Sequence, residues 1–147
     1  MISDKKIKVR ELEEKDLFKG FLESLDSLRK SSDLDARKAK NIFKMISSDN
    51  NYKIYVAELD SQIVGAATIF IEQKFINKGG KVGHIEDVAV RKEYQGKGIG
   101  QIIVQALIQY AKKKGCYKTI LDCYDELVPF YEKIGFKRHS ISMRFDN

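Results

Sequence analysis

Two stretches and one later cluster of this 147-residue sequence carry residue types that could do chemistry. The run Gln95-Gly96-Lys97-Gly98-Ile99-Gly100 follows a strand-like stretch and opens a helix-like one. A helix start exposes unpaired N–H groups and a partial positive charge, and glycines let backbone approach a ligand closely. With Lys97 adding a cation, the run can cradle a phosphate. It is not a Walker A loop, because no Gly-x-x-x-x-Gly-Lys-Ser/Thr string exists. It also fails the dinucleotide fingerprint, since the sixth residue is Gln101 counted from Gly96 and Ile103 counted from Gly98. A glycine-rich turn without a ligand is the competing reading. Just upstream stand two adjacent carboxylates, Glu86 and Asp87. Neighbouring strand residues face opposite sides, so both can point at one ligand only if a bulge interrupts the strand. Further on lie Tyr117, Lys118, Asp122 and Tyr131, the last beside Phe130 and Phe136, where core packing competes with chemistry.

The bulk properties narrow the function without choosing it. Six of the ten glycines fall between Gly79 and Gly100, so backbone freedom concentrates around the residues above. Lys and Arg number 27 against 21 Asp and Glu, a net charge of +6. That surplus suits an anionic partner but does not distinguish nucleic acid, membrane or a phosphorylated small molecule. The two cysteines and two histidines are too few for a zinc finger, a zinc ribbon or a disulfide framework, and no metal site is expected. The longest nearly apolar stretch, Ile63 to Ile71, has nine residues, far short of the ~20 a membrane span needs. The opening Met-Ile-Ser-Asp-Lys-Lys lacks a following apolar run, so no secretory signal is expected. Nothing divides the chain, and a single domain over residues 1–147 follows.

These residues need elements to position them. A short strand begins at Ile7 to Arg10, and Leu17, Phe21, Leu22, Leu25 and Leu28 are spaced for an amphipathic helix. Ser31 to Asp33 offer a stop and a fresh N-cap for a second helix through Ala39, Ile42, Phe43 and Ile46. Strands at Ile54–Glu58 and Gln62–Glu72 are joined by an Asp60-Ser61 turn, and the second, apolar on both faces, belongs centrally in a covered sheet. Asn77-Lys78-Gly79-Gly80 is a hairpin turn leading into a strand from Lys81 to Val90. A helix follows from Ile99 to Lys113, with an apolar stripe at 99, 102, 103, 106, 107 and 110 and a Gly115 cap. Thr119–Cys123 reads as a strand that buries Cys123, Leu127–Ile134 as a helix, and Phe136–Phe145 as a strand closing the sheet. The order implies a layered α+β or α/β architecture with a mixed sheet.

Gln-x-x-Gly-x-Gly after a strand resembles the pyrophosphate loop of the GNAT superfamily of acyl-CoA N-acyltransferases. His84 to Val90, Tyr94 to Gly100, Gly115 to Lys118, Leu121 to Cys123 and Phe130 to Phe136 are similar, block by block, to its eukaryotic-type glucosamine-6-phosphate N-acetyltransferases. The likeness covers about residues 70–137 and, more weakly, Val9 to Leu17. It implies the GNAT fold, an α+β domain with a mixed, mostly antiparallel sheet, splayed central parallel strands and helices on both faces. It also implies acetyl-CoA as cosubstrate, held by the backbone of Val88, Ala89 and Val90 and by Gln95, Gly96, Lys97, Gly98, Ile99, Gly100 and Gln101.

The implied reaction is direct attack of the amine of glucosamine 6-phosphate on the thioester, feeding amino-sugar nucleotide synthesis. In it, Glu86 accepts the amine proton through water, Asp122 binds the ammonium, the Val88 N–H faces the oxyanion and Tyr131 protonates the departing thiolate. Asp87 acts mainly through its backbone. The sugar phosphate would meet Arg29, Tyr117, Lys118 and Arg144, with Lys74, Phe75, Ile76 and Asn77 lining the site. His84 and His139 are given structural roles. The resemblance further implies a homodimer that shares the sugar site, no nucleic-acid or membrane partner, and a cytoplasmic location.

Three positions depart from the family pattern: Arg29 where a threonine is usual, Leu127 for an asparagine, and Asp146 where an arginine is usual. These touch the phosphate clamp more than the acetyl transfer. Competing readings are a related enzyme acting on a protein N-terminus, polyamine or aminoglycoside, and a non-catalytic acyl-CoA sensor. A nucleic-acid module would need basic residues interleaved with exposed aromatics, and the lysines here are scattered.

Overall fold

The computed structural model describes residues 6–147. Five strands form one sheet: β1 (Lys8–Glu11), β2 (Tyr52–Leu59), β3 (Gln62–Gln73), β4 (Lys81–Val90) and β5 (Cys116–Ile120). They lie side by side in sequence order. Every neighbouring pair is antiparallel except β4 and β5, which run parallel. The hairpin turns sit where expected. Asp60 and Ser61 (φ 52° and 64°) and then Asn77, Lys78 and Gly79 (φ 53°, 57° and 74°) supply the left-handed backbone that tight hairpins require. β3 is central, and seven of its twelve residues are buried, as its run of Ile, Val and Ala dictates.

Helices cover both faces. They are α1 (Leu22–Leu25), α2 (Ala36–Ser47), the single turn α3 (Ile76–Gly79) within the second hairpin, α4 (Ile99–Lys113) and α5 (Val128–Ile134). α4 buries Ile99, Ile103, Val104, Leu107 and Ala111, and the core on that side includes Ile69, Ile71 and Ile85 of the sheet. Ile102 of the expected stripe is exposed instead, the buried arc being rotated toward Val104 and Ala111. On the opposite face Leu12, Leu17, Phe21, Leu22 and Ala39 pack with Val56, Ile63 and Ala66.

The expected helix from Leu17 to Leu28 is broken. Gly20 adopts φ +103°, and a Cβ there would lie 2.2 Å from the carbonyl oxygen of Ile63. Close approach of the chain to β3 therefore overrides the helical spacing, leaving only α1. The second helix is capped by Asp35, whose carboxylate accepts from the Lys38 N–H at 3.1 Å. Ser31 and Ser32 instead donate their backbone N–H groups to Asp26 at 2.6 and 2.9 Å.

Two strand expectations are corrected at the C-terminal side. β5 starts directly after the left-handed Gly115 and ends before Leu121, three residues earlier than expected at each end. Cys123 is consequently exposed. Residues 136–147 form no strand, and Ile141, Met143 and Phe145 are exposed. Their alternation suits a strand, but among the described residues no neighbouring strand pairs with them. Among the described residues, no helix is long and apolar enough to cross a membrane. The reading of the opening residues falls, for residues 1–5, outside the described part of the chain.

Candidate active site

β4 carries the irregularity on which the site depends. Its pairing with β3 shifts register between Ala66 and Thr68, so that Thr68 faces Glu86 but Ala66 faces Ala89. Asp87 sits in that interval with φ +51°, a left-handed conformation rare outside glycine, asparagine and aspartate. A bulge therefore interrupts the strand at the adjacent carboxylates. It changes which residues face each side. Before it His84 and Glu86 share a face with Phe70 and Thr68, whereas after it Ala89 lies on that face with Ala66. Val88 and Val90 turn toward the α4 core.

A groove opens beside the bulge. The β4–β5 ladder ends at His84 opposite Ile120, while β4 continues to Val90. The carbonyl of Val90 is directed outward, where Gln95 Nε2 donates to it at 3.0 Å. The N–H and C=O of one strand residue point the same way, so Val88 and Val90 aim their backbone groups into the groove left by β5. That geometry suits an extended ligand pairing as an added strand would.

The glycine loop closes the end of this groove. Gly96 and Gly98 have φ +76° and +81°, with open space where a Cβ would be, so they serve conformation rather than packing. Gly98 is the N-cap of α4, and the first helical bond runs from Ile102 N–H to Gly98 O at 3.2 Å. The N–H groups of Ile99, Gly100 and Gln101 therefore lack helical acceptors and can hold an anion. Arg91 and Lys97 both lie over the ring of Tyr94, 5.9 and 5.4 Å from its centroid. Tyr94 was not singled out from sequence; its spacing between two cations was the available signal.

The parallel register continues the acceptor face onto β5. Val82 is opposite Lys118 and His84 opposite Ile120, which puts Lys118, and by continuation Asp122, on the side of Glu86. Glu86 is exposed, yet partial desolvation by the surrounding chain pushes its carboxyl above the usual carboxylate range, and the negative charges of Asp87 and Asp122 add to the effect, against a smaller opposing influence of His84. Tyr131 is buried, with Phe130 and Phe136 rings edge-on at 4.9 and 5.7 Å. Burial raises its hydroxyl pKa, with Cys123 contributing, so the phenol keeps its proton at neutral pH. Packing and chemistry are compatible here, since the ring is held and the hydroxyl remains a donor.

The remaining residues are less gathered. Tyr117 packs against Gly80, where an added Cβ would meet its ring at 2.7 Å, and Lys118 Nζ lies 5.7 Å from the Tyr117 centroid. Lys74 pairs with Glu72 at 3.1 Å, and Phe75 and Ile76 are exposed beside the left-handed Asn77. Arg29 is exposed in the turn after α1. Arg144 is exposed and bound to Asp146 at 2.6 Å. Ser142 reaches back to Asp122, donating at 3.2 Å. Also missed from sequence is the contact of His84 Nε2 with Glu72 Oε1 at 2.8 Å. Among the described residues no cluster of three or more His, Cys, Asp or Glu could hold a metal.

A β-bulge, a splayed parallel pair and a glycine loop at a helix N-terminus, on a mixed sheet covered on both faces, define an acyltransferase class of fold. The acetyltransferase (GNAT) family model matches residues 9–136, and the chain belongs to that family. It is 39% identical over 141 residues to a glucosamine 6-phosphate N-acetyltransferase of Trypanosoma brucei brucei, covering 95% of each chain. It is 39% identical over 142 residues to a probable glucosamine 6-phosphate N-acetyltransferase 2 of Oryza sativa subsp. japonica, covering 93% of this chain and 86% of that one. The crystal structure of glucosamine-6-phosphate N-acetyltransferase from Arabidopsis thaliana superposes with a TM-score of 0.91 at 38% identity, covering 96% of this chain and 98% of that one.

Proposed function

We propose that this chain transfers the acetyl group of acetyl-CoA to the amine of glucosamine 6-phosphate, giving N-acetylglucosamine 6-phosphate. The observation that carries the reading is the bulge at Asp87, which leaves Glu86 on one face with Asp122 and Lys118 while aiming Val88 and Val90 into the adjoining groove. The names of the relatives at 39% identity support the choice of amine. Acetyl-CoA fits the residues present. The free N–H groups at the start of α4 suit its pyrophosphate, and the open edge of β4 suits its pantetheine arm.

When bound, the cosubstrate supplies an acetyl group on a thioester. Asp122 holds the sugar ammonium, and Glu86 takes its proton through water, a task that its raised pKa fits. The neutral amine attacks the carbonyl, and the Val88 N–H donates to the oxygen as charge develops on it. Tyr131 gives the proton to the departing thiolate. Lys118, half-buried beside Tyr117, meets the sugar phosphate, with Lys74 to Asn77 at the rim of the site. Arg29 and Arg144 complete the clamp only from a second copy or a rearranged tail.

A homodimer suits the same reading. β5 is an edge strand, and the apolar alternation of Ile141, Met143 and Phe145 is exposed. A single domain over residues 1–147, in the cytoplasm, completes the proposal.

Thiol release from acetyl-CoA with a panel of amines tests the assignment. The expected result is turnover of glucosamine 6-phosphate with kcat/KM at least roughly a hundredfold above unphosphorylated glucosamine, polyamines, aminoglycosides and peptide N-termini. Robust turnover of one of those with none of glucosamine 6-phosphate overturns the substrate. Binding of acetyl-CoA without turnover on any amine points to a sensor.

A further inference from the structure

The proton that Glu86 removes from the acceptor must leave while acceptor and cosubstrate cover a carboxyl that is exposed in the single chain, and the negative charges of Asp87 and Asp122 act on that carboxyl. Two residues back on the same face of β4 is His84, since Thr68 lies opposite Glu86 and Phe70 opposite His84. Same-face neighbours on a strand are roughly 7 Å apart, a gap that one water spans. His84 is not loosely placed. Its Nε2 is 2.8 Å from Glu72 Oε1, and Lys74 Nζ is 3.1 Å from that same oxygen. Those two partners, His84 first and Lys74 second, hold the Glu72 carboxyl below its ordinary pKa, so it is ionised and accepts only. Nε2 therefore donates to Glu72, and Nδ1 carries the lone pair that can take a proton. His84 is half-buried and Glu72 partly exposed, so both members of the pair touch solvent.

We propose that His84, oriented by Glu72, is the relay through which Glu86 returns its proton to solvent. The inference rests on the reading of Glu86 as the base. The step moves one proton and no electrons: from the Glu86 carboxyl through water to His84 Nδ1, then from the imidazolium to bulk water. Nδ1 takes up the proton while Nε2 keeps its hydrogen bond. Charged groups of both signs surround the ring. Glu72 faces it from β3 and Glu86 from its own strand, with Asp87 and Asp122 beyond. Lys74, already paired with Glu72, and Lys118 on β5 oppose the cation. Phe70, with centroids 6.1 Å from the imidazole, and Ile120 flank it without charge.

His84→Ala and His84→Gln, assayed at rising concentrations of imidazole, test the relay. Expected are a roughly ten- to hundredfold fall in kcat, KM values for both substrates within about twofold of the parent, and saturable recovery of kcat by imidazole in His84→Ala that the parent enzyme does not show. Glu72→Gln should give a smaller fall and a displaced pH profile. Unchanged kcat in both His84 variants overturns the relay. So does a fall that imidazole leaves untouched in a variant whose Tm matches the parent. Should His84→Ala fold poorly, the same kcat against KM and pH comparison on His84→Gln decides. Glu86→Gln separates the two layers: full activity there removes the base itself, whereas an impaired Glu86→Gln beside a normal His84→Gln removes the relay alone.

Discussion

At the residue scale, Glu86 shows how one environment serves function at some expense of stability. Partial desolvation and its acidic neighbours raise the pKa of this solvent-exposed carboxyl, so it holds a proton better than a glutamate without such neighbours. A base works only when ionised, so kcat/KM should fall as pH drops through a value above the ordinary carboxylate range, and Glu86→Gln should abolish that limb. The stability sign is opposite. The fold favours the neutral form, so ionisation costs stability once pH exceeds the unfolded-state value, and a neutral glutamine carries no such cost. Glu86→Gln should therefore lower kcat by roughly 10²–10⁴-fold while raising Tm at neutral pH, measured by steady-state kinetics and thermal melts on the same preparations. A lowered Tm would mean that the carboxylate is a structural partner. Tyr131→Phe keeps the ring between Phe130 and Phe136 and should lose kcat over a similar range with Tm unchanged, since only a hydroxyl is removed.

At the element scale, β4 is a strand whose usefulness comes from its defect. Asp87 occupies φ +51°, where glycine is unstrained, asparagine is tolerated and a β-branched residue clashes. Asp87→Gly and Asp87→Asn should preserve the bulge and most of kcat. Asp87→Val should cost about 1–2 kcal/mol in urea unfolding and depress kcat further, because relaxing the bulge realigns Glu86 and the Val88 N–H. Equal losses in all three variants would assign the effect to the carboxylate instead. The first helical region follows the same logic. Gly20 is pressed so closely onto the Ile63 carbonyl that helical spacing in Leu17 to Leu28 yields to contact with β3. Around it Arg10 holds the buried Asp16 at 2.7 Å and also meets Glu58 at 3.0 Å, tying the irregular segment to β1 and β2.

At the scale of the whole molecule, the sheet ends on the parallel strand β5, and residues 136–147 run unpaired with three large apolar side chains exposed. An exposed edge and an exposed alternating segment are mutually complementary between copies. Replacing Ile141, Met143 and Phe145 together by serine should convert a dimer to a single-chain species in light scattering, with far-UV circular dichroism retained. It should raise KM for the sugar phosphate more than KM for acetyl-CoA, whose groove is built within one chain. A parent protein that scatters as a monomer would sink that reading. The net charge of +6 enters the proposed site only through a few residues, Lys97 and Lys118 within one chain and Arg29 and Arg144 from a second copy or a rearranged tail.

Much was legible from local chemistry. The bounds of β4 and α4, both hairpin turns and the glycine loop followed from residues whose backbone preferences act within a few positions: Asn77 and Gly79, Gly98, Gly115, and the apolar spacing of α4. Adjacent Glu86 and Asp87 made a bulge the condition for both to face one ligand, because a regular strand would part them, but did not say that one is there. What sequence by itself did not determine were the features set by contacts between distant segments. Gly20 against Ile63, the early end of β5 that opens the groove, the exposure of Cys123, and the His84–Glu72 pair each depend on register across strands. Residues 136–147 carry a strand's alternation, yet a strand exists only where another backbone completes its hydrogen bonds, and that partner is a property of the assembled structure.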